Sequence, residues 1–575
     1  MQLLSGNEAV ALGARDAGTM IGVGYPGTPS TETLEAFAAF EGVRAEWCTN
    51  EKVAMEVAIG ASAAGARSLV TMKHVGMNVA ADPLFTAAYT GVGGGLVVLV
   101  ADDPGMHSSQ NEQDSHHYAA AAHVLMMDPA DSQEAYDFTR QAYELSERFD
   151  VPVCIRSEVR ISHTRTPVAE GEERAERARV PYEKSPQKWV MMPAYAKPRR
   201  IDQLNRIDAM RSWADECPFN RTEMRDASVG VVCAGAAYQY VRDALPDASV
   251  LKLGVTYPLP ARTVRAFADG VDALYVVEEA STYLADAVAA LGVEVAEPEN
   301  PLPAAGELGP NAIRLAFGIA LHEHPSTDVP VPARPPSLCA GCPHRIVFKE
   351  LSRMRAIVTG DIGCYTLGAL PPLSAMDACV DMGASVSMAH GFELAMAGED
   401  HPPIVAVIGD STFAHSGLSS LVTTVYNGGS GIVCILDNRT TAMTGRQGNP
   451  FNGVALQGGG ARELDMEHVV RAIGVDDVQV VDPNDREAVR EAFKAAREAA
   501  DRLSVIIFKR PCVLLERTRQ EPYFVASCTG CGVCVTLGCP AIGKDAETGL
   551  SYIDAASCIG CGQCAQYCRF NAIVR

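Results

Sequence analysis

The chain has 575 residues, 47% of them hydrophobic, and 48 basic against 70 acidic side chains, a formal charge of −22. Length allows three or four domains, the acidic balance opposes binding to nucleic acid or an anionic membrane, and no apolar run is long enough to span a bilayer. The N-terminus lacks the basic-then-apolar order of a secretory signal, so 18 cysteines argue for a reducing compartment, the cytoplasm, and for metal ligation over disulfides.

Residues 1–165 alternate helical patterns with short apolar strands. NEAVALGARDAG reads as a helix, MIGVGYPG as a strand running into a turn, and STETLEAFAAF as a helix capped by Ser30 or Thr31. LVVLVADDPG and VPVCIRSE have the profile of buried parallel strands. Such alternation predicts a doubly wound α/β domain with ligands outside the carboxyl ends of its strands. Four polar stretches fall at those ends: YPGTPS, TNEKVA, MKHVGMN and DDPGMHSSQNEQDS. Each taken alone also fits a plain surface loop.

Residues 166–227 are charged and proline-bearing, and read as a linker that wraps the surface with some helix. A smaller α/β unit is expected over 228–325, with strands in SVGVVCAG, ASVLKLGVT and ALYVVEEA. The glycine turn after Cys233 is better explained by packing than by a nucleotide. Proline-rich HEHPSTDVPVPARPPS marks a second linker.

A third α/β block spans 335–518. IVAVIGD is an apolar strand ending in Gly409 and Asp410, and IVCILDN is the next, ending in Asp437 and Asn438. Oxygen ligands at the ends of adjacent parallel strands can converge on one hard cation, completed by phosphate oxygens. The glycine-rich turns GDIGCYTLG, with Gly363 and Cys364, and MGASVSMAHG, with Gly383, can set backbone N–H groups on a diphosphate.

The tail, 522–575, holds CTGCGVCVTLGCP and CIGCGQCAQYCRF. Thiolates at this spacing can present three sulfurs to one face of an iron–sulfur cube. In two-cluster ferredoxins the fourth cysteine of each run serves the other cube. That pattern assigns Cys528, Cys531, Cys534 and Cys568 to one 4Fe-4S cluster, and Cys558, Cys561, Cys564 and Cys539 to the other. The first run has one extra residue before its fourth cysteine, and Arg569 replaces a customary proline in the second. Zinc is the competing ligand for paired CxxC hooks.

GDS at Gly409 followed by DNRTTAMTG resembles the GDG-to-N motif of thiamine diphosphate enzymes. The resemblance implies that Asp410, Asn438 and the Thr440 carbonyl bind Mg²⁺, with Ser411 where many relatives have glycine. NEKVAMEVAIGASAAGARS resembles the segment whose glutamate, here Glu51, exchanges a proton with the cofactor's aminopyrimidine ring. With the ferredoxin runs, the chain resembles the 2-oxoacid:ferredoxin oxidoreductases over nearly its whole length. YPGTPS is similar to their substrate loop. LCAGCPHR, GDIGCYTLG and SSQNEQDS resemble the indolepyruvate branch.

The resemblance implies the domain order pyrimidine-binding, small transketolase C-terminal-like, diphosphate-binding, ferredoxin. It also implies oxidative decarboxylation of aryl 2-oxoacids (indole-3-pyruvate, phenylpyruvate, 4-hydroxyphenylpyruvate) to acyl-coenzyme A, with ferredoxin as electron acceptor. A smaller β subunit, in an α2β2 heterotetramer, is expected to complete the enzyme. Cys339, Cys342, Cys364 and Cys512 resemble the ligands of a cluster beside the thiamine, and a third 4Fe-4S cluster is expected there; buried structural thiols are the alternative. By the motif match, Thr28, preceded by Gly27, is assigned the substrate carboxylate, and His74, His107 and His390 are candidate acid–base groups. A non-oxidative thiamine decarboxylase and a pure electron-transfer module are the two other classes.

Overall fold

The strongest apolar runs become the central strands of two α/β sheets. In this computed structural model, which describes residues 1–171, 179–323, 329, 331, 335–499, 501–515 and 520–575, the chain divides into the units Met1–Thr327 and Asp328–Arg575. Part of the expected wrapping segment (172–178) and most of the proline-rich linker (324–328, 330 and 332–334) lie outside the described residues.

In the first unit, Ser68–Lys73, Leu96–Asp102 and Val153–Glu158 are buried at every position, as strands covered on both faces must be. The seven-stranded sheet runs Val255–Tyr257, Leu125–Met127, Val153–Glu158, Leu96–Asp102, Ser68–Lys73, Ile21–Gly24, Arg44–Trp47. All neighbours are parallel except Val255–Tyr257, which pairs antiparallel with Leu125–Met127. From Ile21–Gly24 the chain moves outward to Arg44–Trp47, then crosses back to Ser68–Lys73. The order therefore reverses between Ile21–Gly24 and Ser68–Lys73, and the loops leaving these two strands flank a crevice of the kind that takes ligands.

A four-stranded sheet completes this unit: Leu274–Val277, Asp226–Ala234, Ala248–Leu253 and Arg221–Glu223. Arg221–Glu223 comes from the expected linker, and Val255–Tyr257 from the expected small domain, so hydrogen-bonded ladders cross both sequence-derived boundaries. The linker also forms the 22-residue helix Pro193–Ala214. Its Arg199 and Arg206, with Lys188, converge on the Asp150 carboxylate, which tethers this charged stretch to the sheet-bearing part of the unit.

The second unit has six parallel strands in the order Ala378–Cys379, Ile357–Gly360, Ile404–Gly409, Ile432–Asp437, Ser504–Lys509, Asp477–Val481. The order reverses between Ile357–Gly360 and Ile404–Gly409. The tail adds two ribbons, Phe524–Val525 with Ile573–Val574 and Ile542–Lys544 with Ser551–Ile553. Leu537, Tyr567 and Ile573 of the tail share one hydrophobic core with Phe348 and Phe508 of the α/β block. The cysteine-rich tail is thus packed onto the sheet layer instead of hanging from it. No helix among the described residues is long and apolar enough to cross a membrane.

Candidate functional site

In the first unit, the loops around the crevice bring together residues that the sequence separates. Asn50 caps the helix Glu51–Ala63 through its side chain, which accepts from the Val53 N–H at 2.9 Å. Glu51 thereby stands at the helix start, 5% exposed. A Cβ at Gly76, in the first turn of the helix His74–Thr90, would lie 2.6 Å from both Cγ and Oε1 of Glu51. Only glycine there leaves room for the carboxylate. Gly27 meets Lys73 in the same way, with 3.1 Å between a built Cβ and the Lys73 Cβ. Thr28, half-buried, follows on that loop. Ser30 stands at the cap of helix Thr31–Ala38, yet makes no capping bond; its hydroxyl donates to the Gly27 carbonyl at 2.8 Å and tightens the loop.

Lys73 is 7% exposed, and its ammonium donates to the Ser108 carbonyl at 2.7 Å. Burial pulls it down to about 8 against the opposing charge of Asp103. His74 is fully buried; its Nε2 lies 3.3 Å from the Asn111 carbonyl and side-chain oxygens, and its Nδ1 has no hydrogen-bond partner among the described residues. His107 and His390 are differently placed: His107 pairs with Glu307 at 3.2 Å, and His390 stands 3.9 Å from Glu393.

Beside this set, the strand ends carry a buried ionic lattice. Arg156 donates to Asp102 at 2.7 Å, to Glu158 at 2.9 Å and to Asp128 at 3.3 Å. His116 bridges Asp114 and Asp128 at 2.5 and 2.9 Å and stacks on Tyr283. Burial alone would depress the imidazole, but the two carboxylates push it up to about 10.

In the second unit, Asp410 and Asn438 leave adjacent parallel strands, as expected. Asp410 is 2% exposed and accepts from Asn449 at 3.1 Å. Burial and the facing Asp437 push its carboxyl up, and Asp437 Oδ2 has no hydrogen-bond partner among the described residues. Two buried carboxylates with an unfilled oxygen fit a divalent cation, which would offset their repulsion. The Asn438 Oδ1 accepts from the Thr440 N–H at 3.2 Å, which sets the Thr440 backbone beside it. Ser411 is no loose substitution for glycine: its hydroxyl accepts from Thr441 at 2.9 Å. Gly363 and Gly409 both press on the Tyr365 ring. Gly383 sits at φ +96° before the helix Ala384–Ala395, and a Cβ there would strike the Ser416 hydroxyl at 1.9 Å. The Gly383 backbone hydrogen-bonds the buried Asp361 carboxylate, and the helix N-terminus that follows carries the partial positive charge that suits a diphosphate.

The cysteines follow from there. The Cys512 N–H donates to the Asn438 carbonyl at 2.9 Å. Burial raises the thiols of Cys342 and Cys364, to about 12 and 11, and raises that of Cys512; electrostatic contact with one another and with Cys339 adds to it. All four expected thiols thus share one neighbourhood. Two further cavities lie in the tail. One is lined by Cys528, Cys531, Cys534 and Cys568, the other by Cys539, Cys558, Cys561 and Cys564. The extra residue of the first run is Gly538, in the left-handed region at φ +71° after the turn Val535–Leu537; the second run passes from Ala565–Tyr567 straight to Cys568. Among the described residues no group of three His, Cys, Asp or Glu side chains is gathered to hold an ion as it stands; each quartet instead lines its own cavity.

Comparison with known proteins matches three stretches of the chain. Residues 12–214 match the pyruvate flavodoxin/ferredoxin oxidoreductase thiamine diphosphate-binding family, 361–508 the C-terminal thiamine pyrophosphate-binding domain of thiamine pyrophosphate enzymes, and 551–574 the 4Fe-4S binding domain. The indolepyruvate oxidoreductase subunit IorA of Pyrococcus abyssi is 39% identical over 99% of this chain and 96% of its own length. The IorA subunit of Methanothermobacter thermautotrophicus is 41% identical over the same shares. The chain belongs to the indolepyruvate oxidoreductase subunit IorA family.

In this IorA-family chain the expected α/β architecture, with two thiamine-type domains and a ferredoxin tail, is present. Lys73, Arg156 and Arg345 are the residues that motif reading passed over. Each leaves a signal, a cation inside an apolar stretch (TMKHV, VCIRS, CPHRIVF), but only burial shows what that cation faces.

Proposed function

We propose that the chain is the catalytic α subunit of an enzyme that oxidatively decarboxylates aryl 2-oxoacids, with indole-3-pyruvate, phenylpyruvate and 4-hydroxyphenylpyruvate as substrates. Coenzyme A takes the acyl group, and ferredoxin takes the electrons one at a time. A smaller β subunit completes an α2β2 assembly in the cytoplasm. The observation that carries this reading is the Cys512-to-Asn438 hydrogen bond. It joins a cation cradle to a file of thiols, so that the chemistry and the electron exit share one scaffold.

Thiamine diphosphate, when bound, supplies the electron sink for losing carbon dioxide, and 4Fe-4S clusters supply one-electron acceptors. The chain's own residues do the rest. Glu51 holds and exchanges the proton of the cofactor's pyrimidine nitrogen, from a buried position where the proton stays in place. Asp410, Asn438 and the Thr440 carbonyl hold Mg²⁺, and the N–H groups after Gly363 and Gly383 hold the diphosphate. Thr28 donates to the substrate carboxylate, and Lys73 neutralises it. His74, shielded from water, is the acid–base candidate of this set. Cys339, Cys342, Cys364 and Cys512 hold a third cluster next to the cation cradle, and the two tail quartets hold the others.

The test is anaerobic. Indole-3-pyruvate and coenzyme A are added to the two-subunit protein loaded with Mg²⁺ and thiamine diphosphate, and visible absorbance and EPR are followed. Substrate-dependent bleaching with a reduced-cluster signal is expected. About twelve irons per chain support three clusters, and about eight would remove the third. Carbon dioxide release without cluster reduction would instead mean a non-oxidative decarboxylase.

A further inference from the structure

Arg345, the second residue of helix His344–Met354, is 1% exposed. Its five N–H groups are all taken by carbonyl oxygens. Nε and one terminal nitrogen donate to Cys339 at 3.2 and 3.0 Å, and that nitrogen also reaches Leu338. The other donates to Leu537 at 3.2 Å and to Gly538. One guanidinium therefore ties the CxxC hook at Cys339 and Cys342 to the loop that ends in Cys539. The hydrogen bonds are complete, yet carbonyls do not neutralise a charge. Burial pulls the guanidinium down, and the groups placed to oppose that, once they are thiolates, are Cys539, Cys342, Cys339 and Cys561; among the described residues Arg345 forms no ion pair with a carboxylate.

A buried cation without a counter-charge costs several kcal/mol. The arrangement becomes stable when the thiols on both sides are thiolates, as they are when they bind iron. The two sets are close neighbours for a further reason. Gly341 of the hook packs on Ile559 and Cys561, and Gln563 donates to the Cys342 carbonyl at 3.0 Å.

We propose that Arg345 is a positioning residue for electron transfer: a fixed cation, shared by the hook set and the Cys539–Cys558–Cys561–Cys564 set, that raises the reduction potentials of the clusters on both sides. A cluster gains one negative charge on reduction, and a cation locked beside it in a low-dielectric interior favours that form. One electron moves from one cluster to the next, no bond is made or broken, and no other reactant is needed. The inference rests on the cluster assignment proposed above.

The test is an EPR-monitored redox titration of the anaerobic two-subunit protein, with iron content measured alongside. In Arg345→Gln the equilibrium constant for reducing the cluster of the Cys558 set is expected to fall about tenfold, 59 mV for one electron. The cluster of the Cys528 set serves as internal control and keeps its potential. Arg345→Lys, which keeps the charge and loses the fork, stays close to the wild type. Arg345→Met replaces the glutamine variant if that one does not assemble. Unchanged potentials in an iron-replete neutral variant would overturn the proposal, and so would equal shifts in the lysine and neutral variants, which would make the role one of shape. A wild type without these cluster signals would sink the cluster assignment itself, and this role with it.

Discussion

The carboxyl ends of the two parallel sheets are furnished in opposite ways. Those of the first unit end mostly in charges matched to one another: Arg156 against Asp102, Asp128 and Glu158, His116 between Asp114 and Asp128, Lys73 near Asp103, with Arg156 Nη2 and His74 Nδ1 left without a hydrogen-bond partner among the described residues. Those of the second end in glycines, thiols and a carboxylate pair with an unfilled oxygen. A buried polar group costs free energy until it finds a partner. Where partners are supplied internally, the strand ends hold a geometry. Where they are missing, the fold is arranged for something that arrives from outside.

The sharpest way to break this contrast is to remove a ligand from the open side. Asp410→Asn should lose several kcal/mol of metal-dependent stabilisation, about a thousandfold in turnover, while the cofactor-free protein stays folded. Turnover and Mg²⁺-dependent binding of thiamine diphosphate check both halves. On the closed side the loss should fall on stability. Arg156→Met strands three buried carboxylates and should cost about 3–5 kcal/mol, read as a lower denaturation midpoint before any cofactor is added. An Asp410→Asn protein that unfolds, or an Arg156→Met protein as stable as the wild type, would erase the distinction.

Glu51→Gln tests the carboxylate proposed to exchange a proton with the cofactor on the closed side. Turnover should drop about a hundredfold or more, with thiamine diphosphate still bound by the intact cradle; loss of binding would make Glu51 a structural residue. The smallest effect belongs to Lys73. Lys73→Met should raise the Michaelis constant for the 2-oxoacid about 10- to 100-fold, the worth of a hydrogen bond to a charged group. Burial lowers the Lys73 pKa to about 8, so the side chain is cationic below that pH and neutral above it. In the wild type the Michaelis constant should therefore climb as pH rises through 8, and in Lys73→Met it should be flat there. A climb of equal size in both would remove Lys73 from substrate binding.

What the sequence shows plainly is what lies close together in it. The cysteine runs, the GDS turn and the asparagine after the next strand are local patterns, legible before any fold is known. The domain edges were less legible. Val255–Tyr257 follows directly on Ala248–Leu253, yet it pairs with a different sheet, because a backbone ladder can be completed by any free strand edge within reach. Arg345 was the least legible. The carbonyls that hold it lie at 338–339 and 537–538, and nothing in CPHR announces a partner almost two hundred positions away. Buried charge is decided by tertiary neighbours, and a linear pattern carries those only when they are also sequence neighbours.

The two tail quartets come from near-identical runs, but Cys531 alone among the eight is exposed. Molecular oxygen attacks what it can touch. Air should therefore damage this end of the wire first, and a briefly aerated preparation should still bind substrate and release carbon dioxide after it has lost the ability to hand electrons on. On the proposed cluster assignment, oxygen is expected to strike the exposed Cys531 before it reaches the thiamine chemistry.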